Sequence, residues 1–548
     1  MEDSSQDIAV VILAAGQGTR MKSRRAKVLH ELCGYPMLGH VLDQAQALDP
    51  ARLFVVVGRD ADEVQERFAG GARFVLQAEQ RGTGHAVMQA EPELAGFEGD
   101  VLVLYGDTPL LRAETLRRMQ AIKAETGADL VMLTAKGPIP GRVLRDAAGR
   151  IARIVEAQDA SPEELEIEER NTGVYLLSAS LLRDGLAQLD DGNTQGELYI
   201  TDVVGYAVRK GLRVEALLLE DADECLGIND RADLALASAV LRRRIAARHM
   251  AAGVTLVDPD QTYIDAQVEI GRDCLIEPGC VIQGESVLGE GVHVKAHCSI
   301  ESSRLDDEVV IGPCAHLRPG NHLMRKVKIG NFVELKNTVM GPGSKSAHLS
   351  YIGDADVGKG VNFGCGSIVV NYDGVAKHRS RVGDGAFIGC NANLISPVEL
   401  HARAFVAAGS TISADVPEDA LAVARAKQRN VEGWVARRDG RPRPAERPAL
   451  GSKKKTARKK SAARKKKSAA RKKSSAKKSA GKKKSAGKKK SAGKKKSAAK
   501  KSAGKKKSGA RKKTAARKTT AARKKSAAKR KGAAGKRGGA KKRSAAKK

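Results

Sequence analysis

The last 98 residues, Gly451 to Lys548, contain no aspartate, no glutamate and no aromatic side chain. Without aromatics there are no platforms on which bases could stack, and without a fold there is no surface to read base edges. Nothing in the stretch can make a core, and its 47 lysines and arginines repel one another, so a disordered tail is expected. Elsewhere, no apolar run approaches the ~18 residues needed to span a bilayer. The eight cysteines include no C-x-x-C pair, which argues against zinc-ribbon and thioredoxin-like motifs and for free thiols in a reducing cytoplasm. The start, MEDSSQDIAVVILAAG, opens on acids and has only a short apolar run, so no secretory leader is expected.

Setting the tail aside changes the reading of the whole chain. The formal charge of +35 becomes an acidic body of 450 residues, with 51 basic against 63 acidic side chains, a formal −12. That length suggests two or three domains.

The apolar runs IAVVILAAG (8–16), LFVVV (53–57), VLVL (101–104) and LVML (130–133) alternate with helical patterns. Alternation of this kind predicts a mostly parallel, doubly wound α/β sheet, in which ligands bind beyond the carboxyl ends of the strands. Two features fall at such ends. The loop Gly16-Gln17-Gly18-Thr19-Arg20 can present backbone N–H groups to phosphates. Asp107, in LYGDTPL, is a natural Mg²⁺ ligand beside them. Taken alone, the glycine turn is equally well a simple strand–helix connector.

The larger constellation is more specific. LAAGQGTRM with Lys27, QAEQRGTGHA (77–86), LYGDTPL (104–110), Glu156 in IVEAQDA, Asn171 in NTG, YITD (199–202) and Asn229 in GIND resemble the sugar-nucleotide pyrophosphorylases. Among these, they look most like the bacterial N-acetylglucosamine-1-phosphate uridylyltransferases. The resemblance implies that Leu13, Ala14, Gly16 and Gly18 hold the nucleotide, and that Gln77, Gly82 and Thr83 read the uracil. It implies that Arg20 and Lys27 neutralise the triphosphate of UTP, and that Asp107 and Asn229 hold Mg²⁺. Gly141, Glu156 and Asn171 would contact the sugar, and Tyr105 is a further substrate-binding residue. Ala26 stands where the family usually has proline, and 137–140 read GPIP where it usually has a glycine-tyrosine pair.

Residues 230–253 read as one linker helix. After it Ile270, Ile276, Ile282, Leu288, Val294 and Ile300 stand six apart, each followed four residues later by Cys274, Cys280, Ser286, Val292, Cys298 and Arg304. The frame returns at Val382, Ile388, Leu394, Leu400, Val406 and Ile412, with Ala386, Ala392, Val398, Ala404, Ser410 and Val416 as partners. This period predicts a hexapeptide β-helix whose aliphatic residues fill the core, with Cys274, Cys280 and Cys298 as small core residues. The frame is read as lapsing between about 313 and 381, and function is expected there.

That interval carries CAHLRPG (314–320), NFVELKNT (331–338), GSKSAHLSYIGDADVG (343–358) and VNFGCGSIVVNYDG (361–374). These resemble the acetyltransferase half of the bifunctional bacterial enzyme that acetylates glucosamine-1-phosphate and then uridylylates the product, towards peptidoglycan and lipopolysaccharide precursors. The resemblance covers nearly all of 8–436. It implies a left-handed parallel β-helix, a homotrimer, and His348 as the general base, with Glu334 orienting it. It implies Arg318, Lys336 and Lys377 on the sugar phosphate and Tyr351 and Asn362 on the sugar. Cys365, Asn371, Tyr372, Cys390, Ala408 and Arg425 would line the acetyl-CoA groove. Cys365 and Cys390 stand where the family commonly has alanine and serine; either is a candidate reactive thiol, with inert packing the alternative.

The expected organisation is a Rossmann-like uridylyltransferase domain (1–229), a linker helix (230–253), a β-helix acetyltransferase domain (254–437) and a basic tail (438–548), in a cytoplasmic enzyme. Two other readings stay open: a pyrophosphorylase whose β-helix only oligomerises it, and a polyanion-binding protein acting through its tail. With its charge density, the tail is expected to hold DNA or RNA without sequence preference, with an anionic membrane surface as the alternative partner.

Overall fold

In the computed structural model, residues 7–137 and 139–440 are described. The expectations for Pro138 and for the tail from 441 onward lie outside them. Residues up to Asn430 form one compact unit, and a second begins at Val431 with the short helix Trp434–Arg438. Among the described residues no helix is long and apolar enough to cross a membrane.

The amino-terminal sheet has nine strands: β1 (Ile8–Ala14), β2 (Arg52–Val57), β3 (Arg73–Leu76), β4 (Asp100–Tyr105), β5 (Leu130–Lys136), β6 (Gly141–Arg145), β7 (Ile151–Val155), β8 (Glu169–Ser178) and β9 (Val214–Leu218). The order is β9-β5-β8-β4-β1-β2-β3, with the β6–β7 hairpin attached to β8. Strand β1 is buried on both faces because alternate residues serve different cores. Ile8, Val10 and Ile12 pack on one side, Ala9, Val11 and Leu13 on the other. Four pairings are parallel, as expected, but β8 runs antiparallel between β4 and β5. The reason is local. After β5 the chain makes the β6–β7 hairpin and the one-turn helix Pro162–Leu165, then re-enters the sheet without a crossover.

The linker helix runs Arg231–Ala251. It starts where a capping box predicts, with Asp230 accepting from the N–H groups of Ala232 and Asp233 while the Asp233 carboxylate reaches back to the Asp230 N–H. From Thr255 the chain winds into parallel strands of mostly two or three residues, a β-helix whose single core contains all the expected aliphatic positions but Ile270, which is half-buried against it.

Two expectations are corrected here. The repeat does not lapse between 313 and 381. Buried positions continue through Ile311, Leu317, Leu323, Ile329, Leu335, Met340, Ser346, Ile352, Val357, Phe363 and Val369. Three sides, at 300–305, 335–340 and 352–357, have five residues instead of six, and the segment 371–379 loops out before Ser380–Val382 rejoins the ladder. A six-residue template loses phase at each short side although the coil does not break. For the same reason Arg304 is not an inward small residue: Ser303 takes that buried place, and Arg304 is exposed at the start of the next strand.

Candidate active sites

The first site forms at the carboxyl ends of β1 and β4. Gly18, at φ +59°, has no room for a side chain, since a Cβ would sit 2.6 Å from that of Lys27. The turn therefore brings Arg20 and Lys27 together. Lys27 Nζ donates to Asp107 Oδ2 at 2.6 Å and to Asn229 Oδ1 at 3.2 Å, and Arg20 Nη2 donates to the same Asn229 oxygen at 2.9 Å. Four residues from four separate segments thus meet at one point. Two oxygens of different chemistry converge on one cation, here the chain's own ammonium. That donor set fits Mg²⁺, which takes few protein ligands and completes its shell with phosphates and water. Among the described residues no group of three or more His, Cys, Asp or Glu is arranged for a metal.

Beside it lies a cleft of about 280 Å³ lined by Leu13, Gly16, Gln77, Gly82, Thr83 and Tyr105 among others. Gln77 is buried and donates to the Gly82 carbonyl at 3.2 Å. Gly82, at φ +108°, abuts the Leu198 carbonyl, which accepts from Gly84 N–H at 2.7 Å and ties this loop to the YITD segment. Elsewhere in this half, Gly141 faces Asn171 and Glu156: a Cβ there would lie 3.1 Å from Asn171 Cβ and 3.4 Å from Glu156 Oε1. Asn171 donates to the Tyr175 hydroxyl at 2.7 Å. Burial, then the nearby Asp159, raises the Glu156 pKa, and burial raises that of Tyr105. Gln80, which lines the cleft and donates to the Ala15 carbonyl at 3.3 Å, was missed by sequence reasoning.

The second site is a line of stacked residues on one corner of the β-helix. The registers Asn331↔His348, Ser346↔Phe363, Phe363↔Ile388, Ile368↔Asn393 and Phe387↔Phe405 fix it. They place Asn331, His348, Cys365, Cys390 and Ala408 one above another at the ladder spacing of ~4.8 Å. Arg425 adjoins the far end, its Cδ within 3.9 Å of a Cβ built on Gly409. Most of the expected acetyl-CoA set is thus one continuous edge beginning at His348.

His348 is exposed, and its Nδ1 lies 2.6 Å from Asn331 Oδ1. Glu334, the expected orienting group, instead accepts from Arg318 Nη1 at 3.1 Å. Asn331 was missed, though it stands one coil, 17 residues, before His348. On the adjoining face Lys336, Lys377 and Arg318 cluster: Lys377 lowers the Lys336 pKa first, with burial and Arg318 adding to it. Like charge crowded around Lys336 is an arrangement that an anion would relieve. Tyr351 Oη lies 3.4 Å from Asn371 Nδ2, and Asn371 also donates to Asp354. Asn362 faces outward between Lys345 and Phe387. Tyr372 is exposed in the 371–379 loop, which Arg379 ties down by donating to Asp356 and to the Asn337 carbonyl.

Comparison with known proteins bears on both halves. Residues 10–200 match the MobA-like NTP transferase domain, and 267–302 match the bacterial transferase hexapeptide (six repeats). A bifunctional protein GlmU from Pelobacter propionicus is 49% identical over 454 residues, covering 79% of this chain and 99% of that protein. Proteins of the same name from Trichlorobacter lovleyi and Listeria welshimeri are each 48% identical, over 452 and 447 residues, with 78% of this chain and 98% of each relative covered.

Proposed function

The chain belongs to the family of the bifunctional GlmU proteins, and from that premise we propose how its residues divide two reactions. It is an acetyltransferase and uridylyltransferase that produces UDP-N-acetylglucosamine, with acetyl-CoA and a nucleotide as substrates.

In the amino-terminal site a phosphate oxygen of N-acetylglucosamine-1-phosphate attacks the α-phosphorus of UTP, and pyrophosphate leaves. The chemistry demands alignment and positive charge more than a base. Gly16 and Gly18 let the backbone reach the phosphates, while Gln77, Gly82 and Thr83 hold the uracil. Gly141, Glu156 and Asn171 hold the sugar. Arg20 and Lys27 offset charge on the phosphates; Lys27 reaches them by leaving Asp107 and Asn229, the pair that would hold Mg²⁺. A bound Mg²⁺ would supply Lewis-acid stabilisation of the phosphate oxygens.

In the β-helix site, Arg318, Lys336 and Lys377 take the phosphate of glucosamine-1-phosphate, with Tyr351 and Asn362 on the sugar. The sugar amine attacks the thioester carbonyl of acetyl-CoA, His348 takes the amine proton, and the CoA thiolate leaves. Asn331 Oδ1 accepts from Nδ1–H, which leaves Nε2 unprotonated and free to act as the base. The one observation that carries this reading is the corner column running from Asn331 and His348 through Cys365 and Cys390 to Ala408. It supports the reading of His348 as a base at one end of an edge along which an extended thioester would lie. The test is a coupled assay of both reactions on the full chain and on His348→Ala. Loss of acetyl transfer with retained uridylyl transfer is expected, and equal loss of both refutes the assignment.

The enzyme works as a cytoplasmic homotrimer, since end coils and outward apolar residues such as Phe387 and Phe405 call for a partner. The tail, 47 charges in 98 residues, binds polyanions such as DNA or RNA electrostatically. Truncation after Gly440 should leave both rates within a few-fold and abolish DNA retention at low salt. Retention by the truncated chain would refute this.

A further inference from the structure

Two pairs of cysteines lie in register on successive coils of the β-helix. Cys280 and Cys298 are bracketed by Val281↔Ser299 and sit in the core, 0% and 1% exposed. Cys365 and Cys390 are bracketed on both sides, by Phe363↔Ile388 and Ile368↔Asn393. Both occupy the third position of their repeat, two residues after the inward Phe363 and Ile388, so their side chains leave the corner in the same direction. The Cys365 carbonyl accepts from Asn391 N–H and the Cys390 carbonyl from Gly409 N–H, each at 2.8 Å, so the corner is held tightly in phase. Here Cys390 is exposed and Cys365 half-buried.

We propose that Cys365 and Cys390 form a paired-thiol modification site on the acetyl-donor groove, where exchange with a small-molecule disulfide bridges them and stops acetyl transfer. The consequence for activity rests on reading the corner column as that groove; the bridging itself rests on register and exposure. One cysteine thiolate attacks the reagent's S–S bond, giving a mixed disulfide and releasing one small thiolate. The second cysteine thiolate then attacks the mixed disulfide, closing the Cys365–Cys390 bond and releasing the other. The reagent is reduced, the pair is oxidised, and the two cysteine protons end on the released thiols. The ladder spacing of ~4.8 Å lies inside the Cα range that a disulfide spans, about 4.4–6.8 Å. Bonded cysteines prefer Cβ atoms about 3.8 Å apart, so the bridge draws two corners together. The lower corner is stacked on His348, the upper on Ala408, and the groove between them changes shape.

The core pair sets the contrast. Cys280 and Cys298 share the same spacing but offer no surface to a reagent, so they stay reduced in the folded protein.

The test uses the reduced full-length protein and oxidised glutathione, with non-reducing peptide mapping and both activities followed together. The expected result is a mapped Cys365–Cys390 bridge without retained glutathione and with Cys280–Cys298 unbridged. Acetyl transfer should fall at least tenfold, uridylyl transfer stay within twofold, and dithiothreitol restore the loss. Cys365→Ala and Cys390→Ser should each keep, after oxidised glutathione, the acetyl-transfer rate that the same variant shows when reduced. Saturating acetyl-CoA should slow bridging. Absence of the bridge overturns the proposal at the thiols. A bridge that forms at the same rate with acetyl-CoA present and leaves acetyl transfer unchanged overturns it at the groove.

Discussion

The two halves of the molecule assemble charge in opposite ways. The amino-terminal site draws Lys27, Asp107 and Asn229 from positions 80 and 202 residues apart, and only the completed α/β sheet brings them within 3.2 Å. The β-helix site needs no such long-range closure. Asn331, His348, Cys365 and Cys390 are 17, 17 and 25 residues apart because that is the length of each coil. One site is held by tertiary packing, the other by a repeat in which each coil touches its neighbours. Damage should therefore stay on its own side.

The sharpest way to break that comparison is to remove one chemical group from each half. His348→Ala should lower acetyl transfer by roughly 10²–10⁴-fold, the range of a general base, with uridylyl transfer unchanged. Lys27→Ala should lower uridylyl transfer by roughly 10²–10³-fold, as for other single groups that stabilise developing charge, with acetyl transfer unchanged. Steady-state assays of both reactions on both variants check this. Coupled losses in either variant would mean that the halves are not independent.

The contrast also explains what could be read without a structure. The strand–helix alternation, the linker helix and the first coils follow from the pattern of apolar residues. Lys27, Asp107 and Asn229 do not: nothing in their spacing says they meet, and only the family resemblance paired them. In the β-helix the reverse holds. The aliphatic frame was visible at 270–300 and again at 382–412, but the five-residue sides at 300–305, 335–340 and 352–357 hid it between. With phase lost, Asn331 could not be placed opposite His348, and Glu334 took a role its bond to Arg318 does not support. The antiparallel β8 was hidden too, because a strand buried on both faces reads alike in either direction.

Where the halves join, the last turn of the linker helix carries His249, 5% exposed, whose carbonyl accepts from Val254 N–H. Burial, with Arg248 adding to it, lowers its pKa from 6.5 to about 4. A depressed histidine costs nothing above pH 6.5, where both states are neutral. Below that, the unfolded chain takes a proton the folded one refuses, so stability falls until about pH 4 and then levels. The loss is about 3 kcal/mol across that window. Thermal denaturation from pH 7 to 4 should show a shallower fall of Tm for His249→Gln than for the parent. Parallel curves would remove His249 as a source of acid sensitivity.

The smallest expected effect tests the repeat most finely. Asn331 touches His348 through one hydrogen bond, and in the proposed reaction it acts only by keeping the hydrogen on Nδ1. Asn331→Ala should cost about tenfold in acetyl-transfer kcat, near the 1.4 kcal/mol of one such bond, with little change in KM for either substrate. A merely structural loss would lower activity evenly across pH. A lost acceptor instead lets the imidazole exchange tautomers, and Asn331→Asp would favour the imidazolium and move the alkaline-rising limb of the kcat profile upward in pH. If Asn331→Ala scales the whole profile and Asn331→Asp leaves its midpoint in place, the residue is a strut of the coil. A moved midpoint, with uridylyl transfer constant, would show that one coil's register is enough to tune the base above it.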